Sequence, residues 1–189
     1  MRESRSFEAA AAAVIAMALL AGPAPAADKK PAFSLVSPGH KEFTHLTAKY
    51  AAEANNCGGQ NVSPALTWSG APAATKSYAI ALIDPASPAL TGFLHWIAYG
   101  IPATKTSLKE GEASKPSSEF TSGKNGPGGE GYFGPCPPPG QKPHPFTFLL
   151  MATDLPPDAL QPGLSRDELA AGLKGHVLDR TTLVLQYGR

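Results

Sequence analysis

Where the chain carries a clear hydrophobic pattern, that pattern mostly repeats every second residue. The strongest case is "SYAIALID", residues 77–84. Tyr78, Ile80 and Leu82 point one way and Ala79, Ala81 and Ile83 the other, so the spacing predicts a strand with two apolar faces, central in a sheet and covered on both sides. Asp84-Pro85 ends it. "GFLHWIAYGIP" (92–102) predicts the next strand, setting Phe93, His95, Ile97 and Tyr99 against Leu94, Trp96 and Ala98, with Pro102 as its stop. "FTFLLMATD" (146–154), again apolar on both faces, and "TTLVLQYG" (181–188) predict two more. Shorter strands are expected in "AFSLVS", in "EFTHLTAKY" and around Leu66 to Trp68.

One segment departs from the period of two. Ser165 with Glu168 three residues on forms a capping box, "RDELAAGLK" follows, and Gly175 stands where a C-terminal stop belongs. Leu164 is placed to act as the hydrophobic residue before the cap. Residues 103–131 are polar, carry little apolar patterning, and read as an irregular surface excursion. Many strands followed by one good helix predict a mainly β domain: an antiparallel sandwich with a C-terminal helix against it.

Composition agrees with this reading. The 189 residues include 19 Gly and 20 Pro but are only 16% charged, a turn-rich balance suited to β structure. Sixteen basic residues against 15 acidic ones argue against a nucleic-acid coat. The length suits one domain. At the N-terminus Arg2 and Arg5 precede an apolar run from Ala9 to Ala21, and Ala24-Pro25-Ala26 offers a small-x-small cleavage site. Residues 1–26 therefore read as a secretory signal peptide, cut after Ala26 or Ala27, with residues 27–189 as the exported domain. The apolar run, about 13 residues, is short of the roughly 20 that a spanning helix needs. The expected location is periplasmic or secreted, with no membrane span. Two cysteines, Cys57 and Cys136, remain in the exported part, and an even count in an oxidising compartment favours a disulfide. Two separate thiols are the alternative.

Candidate chemistry collects at strand ends. Asp84 sits where a central strand breaks into Pro. His95 lies beside Trp96 in the next strand. His144 follows "GYFGPCPPPGQKPHPF" (131–146), in which nine of sixteen residues are Pro or Gly. Each residue alone has an ordinary structural explanation: a turn-initiating Asp, or a satisfied core His. Together with their surroundings they resemble a known family. "DPASPALTGFLHW" and "GYFGPCPPPGQKPHPF" are similar to the two signature blocks of the phosphatidylethanolamine-binding proteins, also called Raf-kinase-inhibitor-like proteins. "GGQNVSPALTW" (58–68) resembles a third block, and "LQYGR" resembles the ending of bacterial members.

The resemblance implies a large antiparallel sheet packed on a smaller one, and a small pocket at the sheet edge for phosphate, acetate or a phospholipid head group. The matching pocket positions are Asp84, Pro88, His95, Gly134, Pro137, Pro138 and His144, with Tyr187 in addition. Imidazoles and main-chain N–H groups would supply donors to an anion, prolines would shape walls, and Asp84 would orient a histidine. Three positions depart from the family pattern. Ala86 replaces the second acid, Pro145 an Arg, and Phe146 a Tyr.

The functional expectation is a non-catalytic, exported binding protein for a small anionic ligand, with no cofactor and no nucleic-acid partner, as a monomer or homodimer. A protease-inhibitor or other protein-interaction role, through the 103–131 loop, is the alternative. A Cys136–His144–Asp84 hydrolase and an Asp84/His95/His144 metal site are further readings. A disulfide would eliminate the first. "NVS" at Asn61 matches a glycosylation sequon but lies in a block read as structural.

Overall fold

A computed structural model describes residues 31–189. The signal peptide read over 1–26, its cleavage site and the linker up to residue 30 lie outside the described residues.

The strands are β1 (Ser34–Val36), β2 (Leu66–Ser69), β3 (Ser77–Asp84), β4 (Phe93–Pro102), β5 (Ser107–Leu108), β6 (Thr121–Ser122), β7 (His144–Thr153) and β8 (Val177–Tyr187), with helix α1 (Arg166–Gly172) before the last. They form two sheets with antiparallel pairing throughout: a five-stranded one ordered β6-β4-β3-β7-β8 and a three-stranded one ordered β1-β2-β5. The two-faced pattern of β3 has a direct structural meaning. Tyr78, Ile80 and Leu82 enter a core shared with Leu35, Leu66, Trp68 and Leu108 of the small sheet. Ala79, Ala81 and Ile83 pack on the opposite side with Leu169 and Leu173 from α1 and its C-cap. The large sheet is thus a middle layer, and β3 is its central strand. Among the described residues, no helix is long and apolar enough to cross a membrane.

The capping box forms as the sequence requires. The Ser165 side chain accepts from the Glu168 N–H while Glu168 accepts from the Ser165 N–H. Gly175, at φ 84°, takes the left-handed conformation just after the helix.

Four expectations need correction. "EFTHLTAKY" is not a strand. Phe43 adopts φ 61°, which breaks an extended run, and Ala48–Tyr50 coil into a 3₁₀ turn. The segment still bonds to the edge of β8 through Phe43 N–H to Val184 O, Leu46 N–H to Gln186 O and Gln186 N–H to Thr44 O. It shields that part of an edge strand. Residues 103–131 are more than a surface excursion, because β5 and β6 extend one sheet each and Leu108, Ala113 and Phe120 are buried. β7 buries one face, while Leu149 and Met151 on the other are only half-buried.

The fourth correction concerns β4. Leu82 pairs with Trp96 but the next residue, Ile83, pairs with Leu94, so His95 is an extra residue in a β-bulge. The bulge moves Leu94 and His95 out of their predicted sets. Trp96 and Ala98 enter the core between the sheets, and Ile97 and Tyr99 join Leu94 under the helix. His95 is freed from the alternation and turned to the same side as Trp96, where its ring meets Phe146.

Candidate ligand-binding site

The bulge aims His95 at the end of the sheet where β3 stops and β7 starts. Asp84 is the last residue of β3 and His144 the first of β7. Between them a recess of about 130 Å³ opens, lined by Asp84, Ser87, Pro88, Phe93, His95, Cys136, Pro137, Pro138 and His144. The structure therefore brings together Asp84, Pro88, His95, Pro137, Pro138 and His144 of the sequence-matched positions. Gly134 and Tyr187 are not among the lining residues. Tyr187 is the cross-strand partner of His144 and is buried in the inter-sheet core.

Partner chemistry determines the proton positions. A carboxylate only accepts, so His144 Nδ1–H donates to Asp84 Oδ2 at 2.8 Å. Asp84 Oδ1 accepts the Ala86 N–H at 2.9 Å, a bond across the Asp84-Pro85 turn that fixes the carboxylate. His144 Nε2 lies 2.9 Å from the Gln141 side-chain oxygen. His95 Nδ1–H is shared between the carbonyls of Phe133 and Gly134, at 2.9 and 3.1 Å. Its Nε2 has no hydrogen-bond partner among the described residues, so a neutral His95 offers the recess a lone pair and a protonated one offers a donor. Burial holds the His95 pKa below its ordinary value, against the opposing pull of the Phe133 carbonyl and the Asp84 charge. Phe146, buried in the inter-sheet core, packs against both rings, 5.1 Å centroid to centroid from His95 and 6.4 Å from His144. Phe93 and Phe133 flank His95 at 4.8 and 5.8 Å.

The Pro/Gly run is fixed from outside by three devices. Cys57 and Cys136 form a disulfide with Cα atoms 5.3 Å apart, so Cys136 contributes a wall and no thiolate. That removes the nucleophile of the hydrolase reading. Asn61, with φ 54°, accepts the Gly134 N–H at 2.7 Å and donates to the Tyr132 carbonyl at 2.9 Å. The Gly134 amide thus points at Asn61 and is not a donor for a ligand. Arg189 donates to the carbonyls of Pro137 and Asn56 at 2.7 and 2.6 Å, bridging the wall to the Cys57 loop. Among the described residues no group of three His, Cys, Asp or Glu side chains is arranged to hold a metal ion. The Nδ1–H of His144 and the Asp84 carboxylate are turned toward each other.

Gly134 has a packing reason to be glycine. An added Cβ would collide with backbone atoms of Tyr50, Ala51 and Ala52. Backbone cannot swing aside as a flexible side chain can. Gly134→Ala is expected to cost about 1–3 kcal/mol, measured as a lower unfolding midpoint. An unchanged midpoint would show that the wall yields.

Comparison with known proteins identifies the fold. The family model for phosphatidylethanolamine-binding protein matches residues 37–188. The chain belongs to that family. The UPF0098 protein of Methanothermobacter thermautotrophicus is 38% identical over 135 residues, covering 70% of this chain and 87% of that one. The UPF0098 protein YbcL of Escherichia coli is 38% identical over 125 residues, covering 64% and 68%. Its crystal structure superposes with a TM-score of 0.75 at 31% identity over 83% of this chain and 98% of that chain, and is described as a new member of the mammalian family. LppC of Mycobacterium tuberculosis, which carries a lipoprotein name, is 35% identical over 142 residues, covering 72% and 62%.

Asn61, Gln141, Phe133 and Arg189 were not singled out for the site from sequence. A polar residue in a loop gives no local signal of a bond made to a segment more than 50 positions away. Each does lie inside one of the quoted blocks, and Gln141 had the nearest cue, three residues before His144 in the Pro/Gly run.

Proposed function

We propose that the protein is a non-catalytic, exported binding module whose recess captures one small oxyanion, the phosphate or carboxylate of a head-group-like ligand. The observation that carries this reading is His95: an imidazole with Nδ1–H tied to two carbonyls and Nε2 free, facing a pocket that also holds the Asp84–His144 pair. The leader pattern, the disulfide and the lipoprotein-named relative support export.

The geometry gives capture a protonic requirement. With His95 neutral, an unprotonated anion would meet the lone pair of Nε2 and the charge of Asp84. A proton must sit between ligand and ring, either brought by a hydrogen phosphate or taken up by His95 as the anion enters. Prolines line much of the wall and have no N–H to give, which makes the histidine proton more important. Ala86, Pro145 and Phe146 leave the recess without an added acid, guanidinium or phenol near the histidines, so charge complementarity rests on the imidazoles.

The test is calorimetric titration of inorganic phosphate and acetate across pH, in buffers of different ionisation enthalpy. Affinity is expected to rise as pH falls toward the lowered His95 pKa, with about one proton taken up per acetate. His95→Gln removes that uptake. Stability without ligand moves in the opposite sense. A histidine whose folded pKa is depressed contributes stability above its unfolded value of about 6.5, and that contribution is lost as pH falls through the folded pKa. Acetate affinity that is independent of pH, or unchanged by His95→Gln, would contradict the proposal.

A further inference from the structure

On the opposite face of the large sheet the chain leaves a second cavity. α1 covers β3 and β4 but stops short of β7, so Leu149 and Met151 remain half-buried. Val177 and Leu178, at the start of β8, are 37% and 39% exposed. Together with Ile83 and Leu173 these side chains line a groove of about 640 Å³ between helix and sheet. That is several times the volume of the recess at Asp84 and within the range of small-molecule sites, roughly 300–1,000 Å³. A contiguous apolar strip in an otherwise covered sheet calls for an occupant.

The rim identifies its charge. Arg166, Lys174 and Arg180 border the groove, against a single acid, Asp179. Arg166 donates two N–H groups to the carbonyls of Thr91 and Gly92. Those carbonyls hold the guanidinium in place without neutralising it. Neither Lys174 nor Arg180 forms an ion pair among the described residues. Asp179 accepts from the Arg180 backbone N–H, which leaves the guanidinium free. An apolar floor with unneutralised cations on its edge complements a ligand with a single alkyl chain and one anionic head. Guanidinium groups favour a carboxylate there, which they can bind through paired N–H donors.

We propose that this groove binds a free fatty acid, with its chain along Leu149 and Met151 and its carboxylate at the Arg180 and Lys174 rim. The site is separate from the Asp84–His95–His144 recess, since Leu173 and Ile83 belong to the core on the far side of the sheet. It does not depend on the recess binding anything.

The experiment is calorimetric titration of laurate into the purified protein below the micelle concentration of laurate, with dodecyltrimethylammonium as the charge-reversed control. Laurate is expected to saturate one site while the ammonium amphiphile does not. Lys174→Glu combined with Arg180→Glu changes two exposed side chains, leaves the fold intact by circular dichroism, and weakens laurate by at least about tenfold. His95→Gln leaves laurate binding unchanged. Three results would overturn the assignment: no saturable laurate binding, equal affinity for both head groups, or a doubled solution mass that Met151→Glu halves. The last would show that a second copy of the chain occupies the face.

Discussion

Replacing Cys57 and Cys136 together with serine is expected to lower the unfolding free energy by about 4 kcal/mol. The bridge spans 79 residues in sequence, and closing a loop of that length removes about this much chain entropy from the unfolded state. The loss should appear in urea titration as a lower midpoint, and in the unmodified protein after full reduction. The double variant should also bind phosphate more weakly, because Cys136 is part of the recess wall. Arg189 still ties Pro137 to Asn56, so the wall loosens without detaching. A variant with unchanged stability would show that the bridge does not constrain the unfolded chain.

The second large effect is expected at Asp84. Its side chain is 6% exposed and that of His144 9%, and the two are joined by one short bond. Asp84→Ala leaves the His144 Nδ1–H without its acceptor and the Ala86 N–H without its own. Breaking a buried pair from one side costs about 3 kcal/mol. Phosphate and acetate binding should be lost as well, since the ring that Asp84 orients becomes free to turn. Asp84→Asn separates the two effects. The amide oxygen can still accept from His144, so the fold should recover part of its stability, while the charge that favours a protonated His95 is gone. Chemical denaturation and calorimetry on the two variants measure both. An Asp84→Asn protein that binds acetate with undiminished affinity at acid pH would mean that the carboxylate charge does not support the His95 proton.

Much of this was legible in the chain. The alternation in residues 77–84 named the central strand and sorted its side chains correctly between two cores, because its unbroken register with β7 keeps successive side chains on opposite faces. The capping box placed α1 from two residues. Asp84, His95 and His144 were legible as a group because sequence blocks tie them together in order, and the pairing of Cys57 with Cys136 because an even cysteine count in an exported chain favours a bridge. The misreadings share a physical cause. Strict alternation cannot anticipate an extra residue, so the bulge put His95 on the side of Trp96 and Leu94 on the side of Ile97, against the predicted sets. The segment 42–50 has strand-like composition, yet one left-handed residue, Phe43, makes it an edge cover. β5 and β6 are two residues long, too short for any periodic signal. The clasp by Arg189 and the Asn61 bond to Gly134 join distant segments of the chain, and only the folded topology brings them into contact.

The pocket and its protons are tested most directly by nuclear magnetic resonance of the histidine rings during a phosphate titration. The chain has five histidines, His40, His45, His95, His144 and His176, which form internal controls for one another. Ring signals of His95 and His144 are expected to shift together and saturate. His95 Nε2 should change from lone-pair acceptor to proton donor, while His40, His45 and His176 stay in place. Five rings that all drift in proportion to phosphate, or a His95 signal that never moves, would contradict the recess as the binding site.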